Sequence, residues 1–167
     1  MTTVRFARSN DEFGPKAQLP EYAHVGDSGA DLFVTLSAYD AADKDGVRYA
    51  ELVPGERRKF KTGLNIGLEY GTEAQVRTKS GRALKEGLQV LNSPATIDSC
   101  YTGPIDVILH NAGLTSIIIK DGEKIAQLVI APVLYARLAL VETIESKERG
   151  DQGFGSTANA GFFQRLA

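Results

Sequence analysis

Short apolar and β-branched runs, cut apart by turn-forming residues, constrain the fold of this chain more than any other feature of it. The chain carries seventeen glycines, and beside such short runs they signal strands and turns rather than long helices. Residues 4–7 alternate and predict a first strand. Residues 32–34 begin another after the turn at Gly26 and Gly29, with Asp31 at the junction. Residues 49–52 suit an edge strand closed by Pro54-Gly55. Residues 57–62 alternate poorly, but Leu64, Ile66 and Leu68 share one strand face at period two. Residues 74–77, 88–91 and 117–119 each predict a further strand. The run 125–130 is apolar except for Gln127, which predicts a strand buried on both faces; the lone amide must then find backbone or ligand partners. Asp121-Gly122 predicts a hairpin between the last two of these strands, and residues 133–141 predict the final strand. Residues 11–20 read as irregular, and the charged stretch from Tyr39 to Val47 reads as a surface loop. The expected class is all-β.

Only one helix is predicted. Ser80 stands as its N-cap, residues 81–86 as its body and Gly87 as its stop. It is under two turns long, so the surrounding sheet must hold it. With Arg77 and Lys79 its start makes a small cationic corner rich in free backbone N–H groups.

Two stretches suggest chemistry. Thr96-Ile97-Asp98-Ser99-Cys100-Tyr101-Thr102-Gly103-Pro104 leads into the apolar run from Ile105 to Leu109. It predicts an acid and an aromatic held on a tight turn at the mouth of a strand pair, where a carboxylate can face a ligand. Arg149-Gly150-Asp151-Gln152-Gly153-Phe154-Gly155-Ser156-Thr157 is a glycine-rich segment. Glycine lets backbone amides approach anionic oxygens, and arginine forks onto them.

Composition narrows the partners. A chain of 167 residues is expected to form one domain. No apolar run approaches the ~20 residues of a membrane helix, and the first residues lack a signal-peptide h-region; a cytoplasmic protein without a membrane partner is expected. A single cysteine, Cys100, allows no internal disulfide and reads as structural, and two histidines argue against a His-rich zinc site. A net charge of −2 supplies no general field for nucleic acid.

Five segments, in order, resemble the five motifs of the trimeric deoxyuridine triphosphatases (dUTPases). They are Ser28-Gly29-Ala30-Asp31-Leu32; Lys79-Ser80-Gly81; Thr96-Ile97-Asp98 with Tyr101-Thr102-Gly103; Gly122-Glu123-Lys124-Ile125-Ala126-Gln127-Leu128; and Arg149-Gly150 with Gly153-Phe154-Gly155-Ser156-Thr157. The resemblance runs from about Gly26 to Thr157. It implies a distorted jelly-roll-like β-barrel over residues 1–148, a homotrimer whose sites each take motifs from more than one subunit, and an arm over residues 149–167 that closes on a neighbouring subunit's site. The implied reaction is hydrolysis of dUTP to dUMP and pyrophosphate with Mg²⁺ on the triphosphate, which limits uracil in DNA and supplies dUMP for dTMP synthesis.

The resemblance also implies roles. Asp98 is the general base that directs water onto the α-phosphorus. Tyr101 packs on the deoxyribose and excludes a ribose. The hairpin from Asn92 through Thr96 and Ile97 reads the uracil edge. Lys79, Ser80, Gly81 and Gln127 hold phosphate oxygens. Arg149 clamps the γ-phosphate, Phe154 covers the uracil, and Gly155 and Ser156 complete the closing arm. Asp31 acts indirectly, through waters of the metal or by bracing the site. Two departures stand out: Thr78-Lys79-Ser80 replaces the usual Pro-Arg-Ser, and Arg82 replaces an apolar residue. A dCTP deaminase-type relative and a nucleotide-gated regulatory protein remain alternatives, the latter with the 39–47 loop or the C-terminal tail as a protein-partner surface.

Overall fold

A computed structural model describes residues 2–145. In chain order it contains β1 (Arg5–Arg8), a 3₁₀ turn at Gly14–Lys16, β2 (Gly29–Phe33), β3 (Ala41–Ala42), β4 (Arg48–Leu52), β5 (Arg57–Gly67), β6 (Thr72–Arg77), α1 (Ser80–Glu86), β7 (Leu88–Val90), β8 (Ala95–Ile97), β9 (Pro104–Asn111), β10 (Ile117–Lys120) and β11 (Lys124–Pro132). The strands make three antiparallel sheets, ordered β1-β5-β9-β7, β10-β4-β3 and β2-β11-β6-β8. The all-β class with one short α-helix is what the sequence predicts, and the fold is the jelly-roll-like one of the resemblance.

Alternation builds the core. In β9 the side chains of Ile105, Val107, Leu109 and Asn111 point inward, and every other residue points away. Leu52, Leu109 and Ile119 have no exposed surface, and Leu32, Ile105 and Ile125 are nearly as buried. Asn111 is the polar end of this row. Its amide donates to the carbonyls of Leu52 and Thr115, both at 2.8 Å, and its Oδ1 accepts from Gly113 N at 2.9 Å. These bonds satisfy the group, which is why it is tolerated at full burial. Strand β5 is the spine, pairing β1 along one half and β9 along the other, with a break in register between Lys61 and Asn65. Gly63 sits in that break at φ 71°, where a Cβ would lie 2.6 Å from the Phe13 carbonyl oxygen, so only glycine fits.

Several expectations are corrected. β2 starts at Gly29, so Asp31 lies inside a strand and is buried rather than standing at a junction. β4 is the middle strand of its sheet and not an edge, because Ala41 and Ala42 within the predicted loop pair with it. The Asp121-Gly122 turn does not close a hairpin: β10 pairs with β4, whereas β11 pairs with β2 and β6. Glycine at φ 74° makes the turn, but the chain crosses between sheets there. The same holds at the opening of the 96–111 stretch, since β8 pairs with β6 and β9 pairs with β5 and β7. Ser80 is the first helical residue; Lys79 occupies the N-cap position and makes no side-chain capping bond. β11 is central, as expected, yet Gln127 and Val129 on its second face are only half-buried. No strand covers residues 133–141. The ladder ends where Pro132 meets Thr72, the first residue of β6, and among the described residues no partner strand continues it. The chain divides into one compact unit that ends at Leu134 and a second that starts at Tyr135, whose described residues, 135–145, form no helix or strand.

Candidate functional site

The crossing from β8 to β9 opens a cleft of about 250 Å³ in the first unit, lined by Asn92, Thr96, Ile97, Asp98, Tyr101 and Asp106 among others. Asp98 is exposed at the end of β8. Among the described residues nothing hydrogen-bonds or ion-pairs with its carboxylate, so both oxygens are free for a ligand or a water. Its backbone is fixed, because Tyr101 N donates to the Asp98 carbonyl at 3.0 Å and closes the turn.

Tyr101 is fixed by its neighbours in sequence. Its hydroxyl donates to the Pro104 carbonyl at 2.9 Å. The ring lies directly over Gly103, where a Cβ would stand 2.5 Å from the phenol oxygen. Any side chain at 103 would push the ring away. The order Tyr-Thr-Gly-Pro therefore sets an aromatic wall beside the acid, half open to solvent at 43% exposure. Asp106 stands on the same cleft, with one oxygen paired to Lys59 at 2.8 Å and the other buried with no partner among the described residues. Its hydrogen bond and charge raise the Lys59 pKa.

A second cluster surrounds Asp31. Its carboxylate pairs with Lys79 through one oxygen and with Lys124 through the other, the latter at 3.0 Å. Lys124 also reaches Glu21 at 2.9 Å. Burial pushes the Asp31 carboxyl up, but the hydrogen bonds and charges of Lys79 and then Lys124 outweigh it and hold the group below its ordinary value. Lys79 is thus braced from beneath, at the segment between β6 and α1. Arg77 leaves the cationic corner and bonds the Gln75 side chain instead.

The segment carrying Lys79, Ser80 and Gly81 is held by polar links. Helix α1 buries none of its residues, so apolar packing cannot fix it. Arg82, largely shielded, bonds Glu86 at 2.7 Å and Glu123 at 2.5 Å, which ties the helix to the turn before β11. Thr78 joins three pieces. Its Oγ1 accepts from Val90 N at 2.9 Å, its N donates to Ser93 Oγ at 3.3 Å, and its carbonyl accepts from Gln127 Nε2 at 3.1 Å. Gln127 therefore does find a backbone partner. Ser80 and Gly81 are exposed at the start of α1.

The structure gathers Asn92, Thr96, Ile97, Asp98 and Tyr101 on one cleft and links Asp31, Lys79 and Gln127 around Thr78 and Lys124. Arg149, Phe154, Gly155 and Ser156 lie outside the described residues, as does the tail. Cys100, expected to be structural, is exposed and unpaired. Sequence reasoning passed over Lys124, Thr78 and Asp106. Lys124 lay inside a quoted motif. Asp106 was detectable from the alternation of β9, which turns it away from Ile105 and Val107.

An all-β domain that presents a carboxylate and an aromatic ring on one cleft, beside a lysine-bearing segment, has the layout of a small-anion or nucleotide site. The comparisons specify it. The profile of the dUTPase family matches residues 16–158. The deoxyuridine 5'-triphosphate nucleotidohydrolase of an Anaeromyxobacter species is 44% identical over 155 residues, covering 93% of this chain and 97% of that one. The enzyme of the same name from Ehrlichia canis is 48% identical over 141 residues, covering 83% and 86%. Among solved structures, the dUTPase of Staphylococcus bacteriophage 80alpha with dUpNHpp superposes with a TM-score of 0.78 at 25% identity, covering 93% of this chain and 98% of that one. A dUTPase variant from phage phi11 of S. aureus, described with a structural Mg(II) ion, superposes with a TM-score of 0.68 at 22% identity, covering 86% and 99%. The chain belongs to the dUTPase family.

Proposed function

We propose that this protein is a dUTP diphosphatase, which hydrolyses dUTP to dUMP and pyrophosphate. The observation that carries the reading is the cleft on which Asp98, with no partner for its carboxylate among the described residues, stands beside the pinned ring of Tyr101. In this reading Asp98 orients a water and takes its proton as the water oxygen attacks the α-phosphorus and pyrophosphate leaves. The nucleoside enters between the 92–97 segment and Tyr101. The ring of Tyr101 occupies the space a ribose 2′-hydroxyl would need. Backbone groups from Asn92 to Ile97 read the uracil edge; a methyl at its 5-position would overlap them, and cytosine would leave buried groups unpaired. Lys79, Ser80, Gly81 and Gln127 face the phosphate chain, and Arg149 with Phe154, Gly155 and Ser156 closes over it.

Magnesium enters this reading on the triphosphate, where it supplies charge neutralisation. Among the described residues no three His, Cys, Asp or Glu side chains group into a metal site. Asp31, with a lysine on each oxygen, does not fit a metal ligand and suits the bracing role better. A homotrimer suits the apolar side chains that the chain leaves exposed on its own, among them Leu134, Leu138, Leu140 and Ile144. Tyr39, 93% exposed on the 39–47 loop, is the feature that suits a protein partner.

The test is Asp98→Asn. Turnover of dUTP, followed by pyrophosphate release, should fall by roughly 10² or more, while a non-hydrolysable dUTP analogue still binds. Near-normal turnover would mean that the base is another group. Ammonia release from dCTP by the wild-type protein would point to the deaminase alternative.

A further inference from the structure

We infer, on the diphosphatase reading of the site, that Arg82 is a positioning residue: through Glu123 it fixes the first turn of α1, and with it Ser80 and Gly81, which hold phosphate oxygens. The pair lies within one chain and acts whichever subunit supplies the base-reading segment.

The ladder between β6 and β11 ends where Arg77 stands opposite Gln127, so it does not place the residues past 77. Asp31 ties down Lys79, and Val90, Ser93 and Gln127 tie down Thr78. At the far end of the helix Ala112 N donates to the Gly87 carbonyl at 3.0 Å, and a Cβ on Gly87 would meet Gly113 N at 2.5 Å. Between these ends α1 buries no residue. Among the described residues the Ser80 hydroxyl has no hydrogen-bond partner, and nothing lies within 4 Å of where a Cβ on Gly81 would stand. Arg82 is, among the described residues, the one side chain of α1 that bonds outside the helix. Its Nη1 donates to Glu123 Oε1 at 2.5 Å, while Nε and Nη2 donate to Glu86 Oε2 at 3.1 and 2.7 Å. The arginine side chain is 13% exposed, and a shielded, forked pair of this kind is stronger and more directional than a solvated one. Glu123 is a firm anchor. Its Oε2 accepts from Lys120 N, its carbonyl accepts from Val34 N, and Gly122 N donates to the Val34 carbonyl, all at 2.9 Å.

Direct contact with phosphate is the competing role for an arginine three residues past Lys79, where the usual fork is missing. Its donors argue against it, because Nε, Nη1 and Nη2 each already face a carboxylate oxygen. The two roles predict opposite signs. Without the Glu123 carboxylate, a phosphate ligand would be freed and triphosphate would bind tighter; a positioning residue would lose its anchor and triphosphate would bind weaker.

Glu123→Gln keeps an oxygen for Lys120 N and turns an NH₂ toward Arg82. With wild-type protein shown to hydrolyse dUTP, Glu123→Gln and Arg82→Gln should each raise KM for dUTP about tenfold with kcat within about threefold, since binding common to ground and transition states is lost. Inhibition by inorganic triphosphate should weaken by a similar factor, and inhibition by deoxyuridine should stay at wild-type strength. The double variant should be no worse than either single one, because both remove the same contact. Glu86→Gln removes the partner on the same helix and should leave KM within about twofold, which separates positioning from support of the helix. If Arg82→Gln does not fold, Glu123→Gln and Glu86→Gln carry the test. Tighter binding of triphosphate in Glu123→Gln would overturn the inference in favour of direct contact. So would an unchanged KM for dUTP, equal weakening of deoxyuridine and triphosphate, additive losses in the double variant, or an equal rise in KM in Glu86→Gln. Wild-type protein that leaves dUTP uncleaved would instead overturn the reading of the site on which the inference stands.

Discussion

Asp31→Asn isolates the bracing cluster with a change of almost no volume. In the wild type each carboxylate oxygen accepts from a different lysine. Asparagine offers one oxygen and one NH₂, so it can satisfy Lys79 or Lys124 but must turn a donor toward the other. Breaking a buried pair by removing one partner costs about 3–5 kcal/mol. Here the carboxylate side chain is 9% exposed, but Lys79 and Lys124 are 27% and 41% exposed. Lys124 also keeps Glu21. Both ammonium groups can turn toward water, which lowers the expected cost to about 2 kcal/mol. For a chain of this size that is a fall in Tm of about 6 °C.

The pH dependence gives a second reading of the same pair. The folded-state pKa of Asp31 lies below its ordinary 3.8, so the unfolded chain binds the proton more readily. The stabilisation is complete above 3.8 and is lost as pH falls through the lowered folded value. Thermal unfolding at fixed protein concentration should show the full gap between wild type and Asp31→Asn at neutral pH. The gap should narrow below about pH 4. A gap under about 1 °C at neutral pH, or one that widens on acidification, would show that the two lysines do not depend on this carboxylate.

Two further outcomes test the cleft and the arm. Tyr101→Ala should narrow the preference for dUTP over UTP in kcat/KM by about tenfold or more, whereas Tyr101→Phe, which loses only the bond to the Pro104 carbonyl, should move it less; equal preference in all three proteins would remove the ring from sugar selection. Truncation before Arg149 should leave a folded protein by circular dichroism with crippled dUTP turnover, and loss of the fold would make that segment structural.

The sequence was legible where a pattern is local. Alternation placed Leu64, Ile66 and Leu68 on one face, and all three are buried at or just past the end of β5; the turn residues around Asp98 and Tyr101 put acid and ring together. What alternation cannot give is the partner strand. Asp121-Gly122 has the residues of a hairpin turn, yet β10 and β11 part into different sheets, because β11 fits between β2 and β6 while β10 closes on β4. The same blindness made β4 read as an edge: two alanines in a charged loop are too short a run to announce β3.

Side-chain commitments across sheets were equally hidden. Asp31 read as a junction acid that acts through waters of a metal or by bracing the site, and only the pairing of β2 with β11, which sets Asp31 opposite Gln127, brings Lys79 and Lys124 onto its two oxygens. Lys79 read as a charge waiting for phosphate, yet its ammonium already has a counterion. A triphosphate must compete with Asp31 for it, or bind with Lys79 still braced. In the first case Asp31→Asn would free the lysine and tighten dUTP; in the second it would loosen the segment and weaken dUTP. The direction of the change in KM for dUTP in that variant decides between them. The observed bracing at Lys79, with Thr78 and Arg82 holding the same short segment from either side, favours the second.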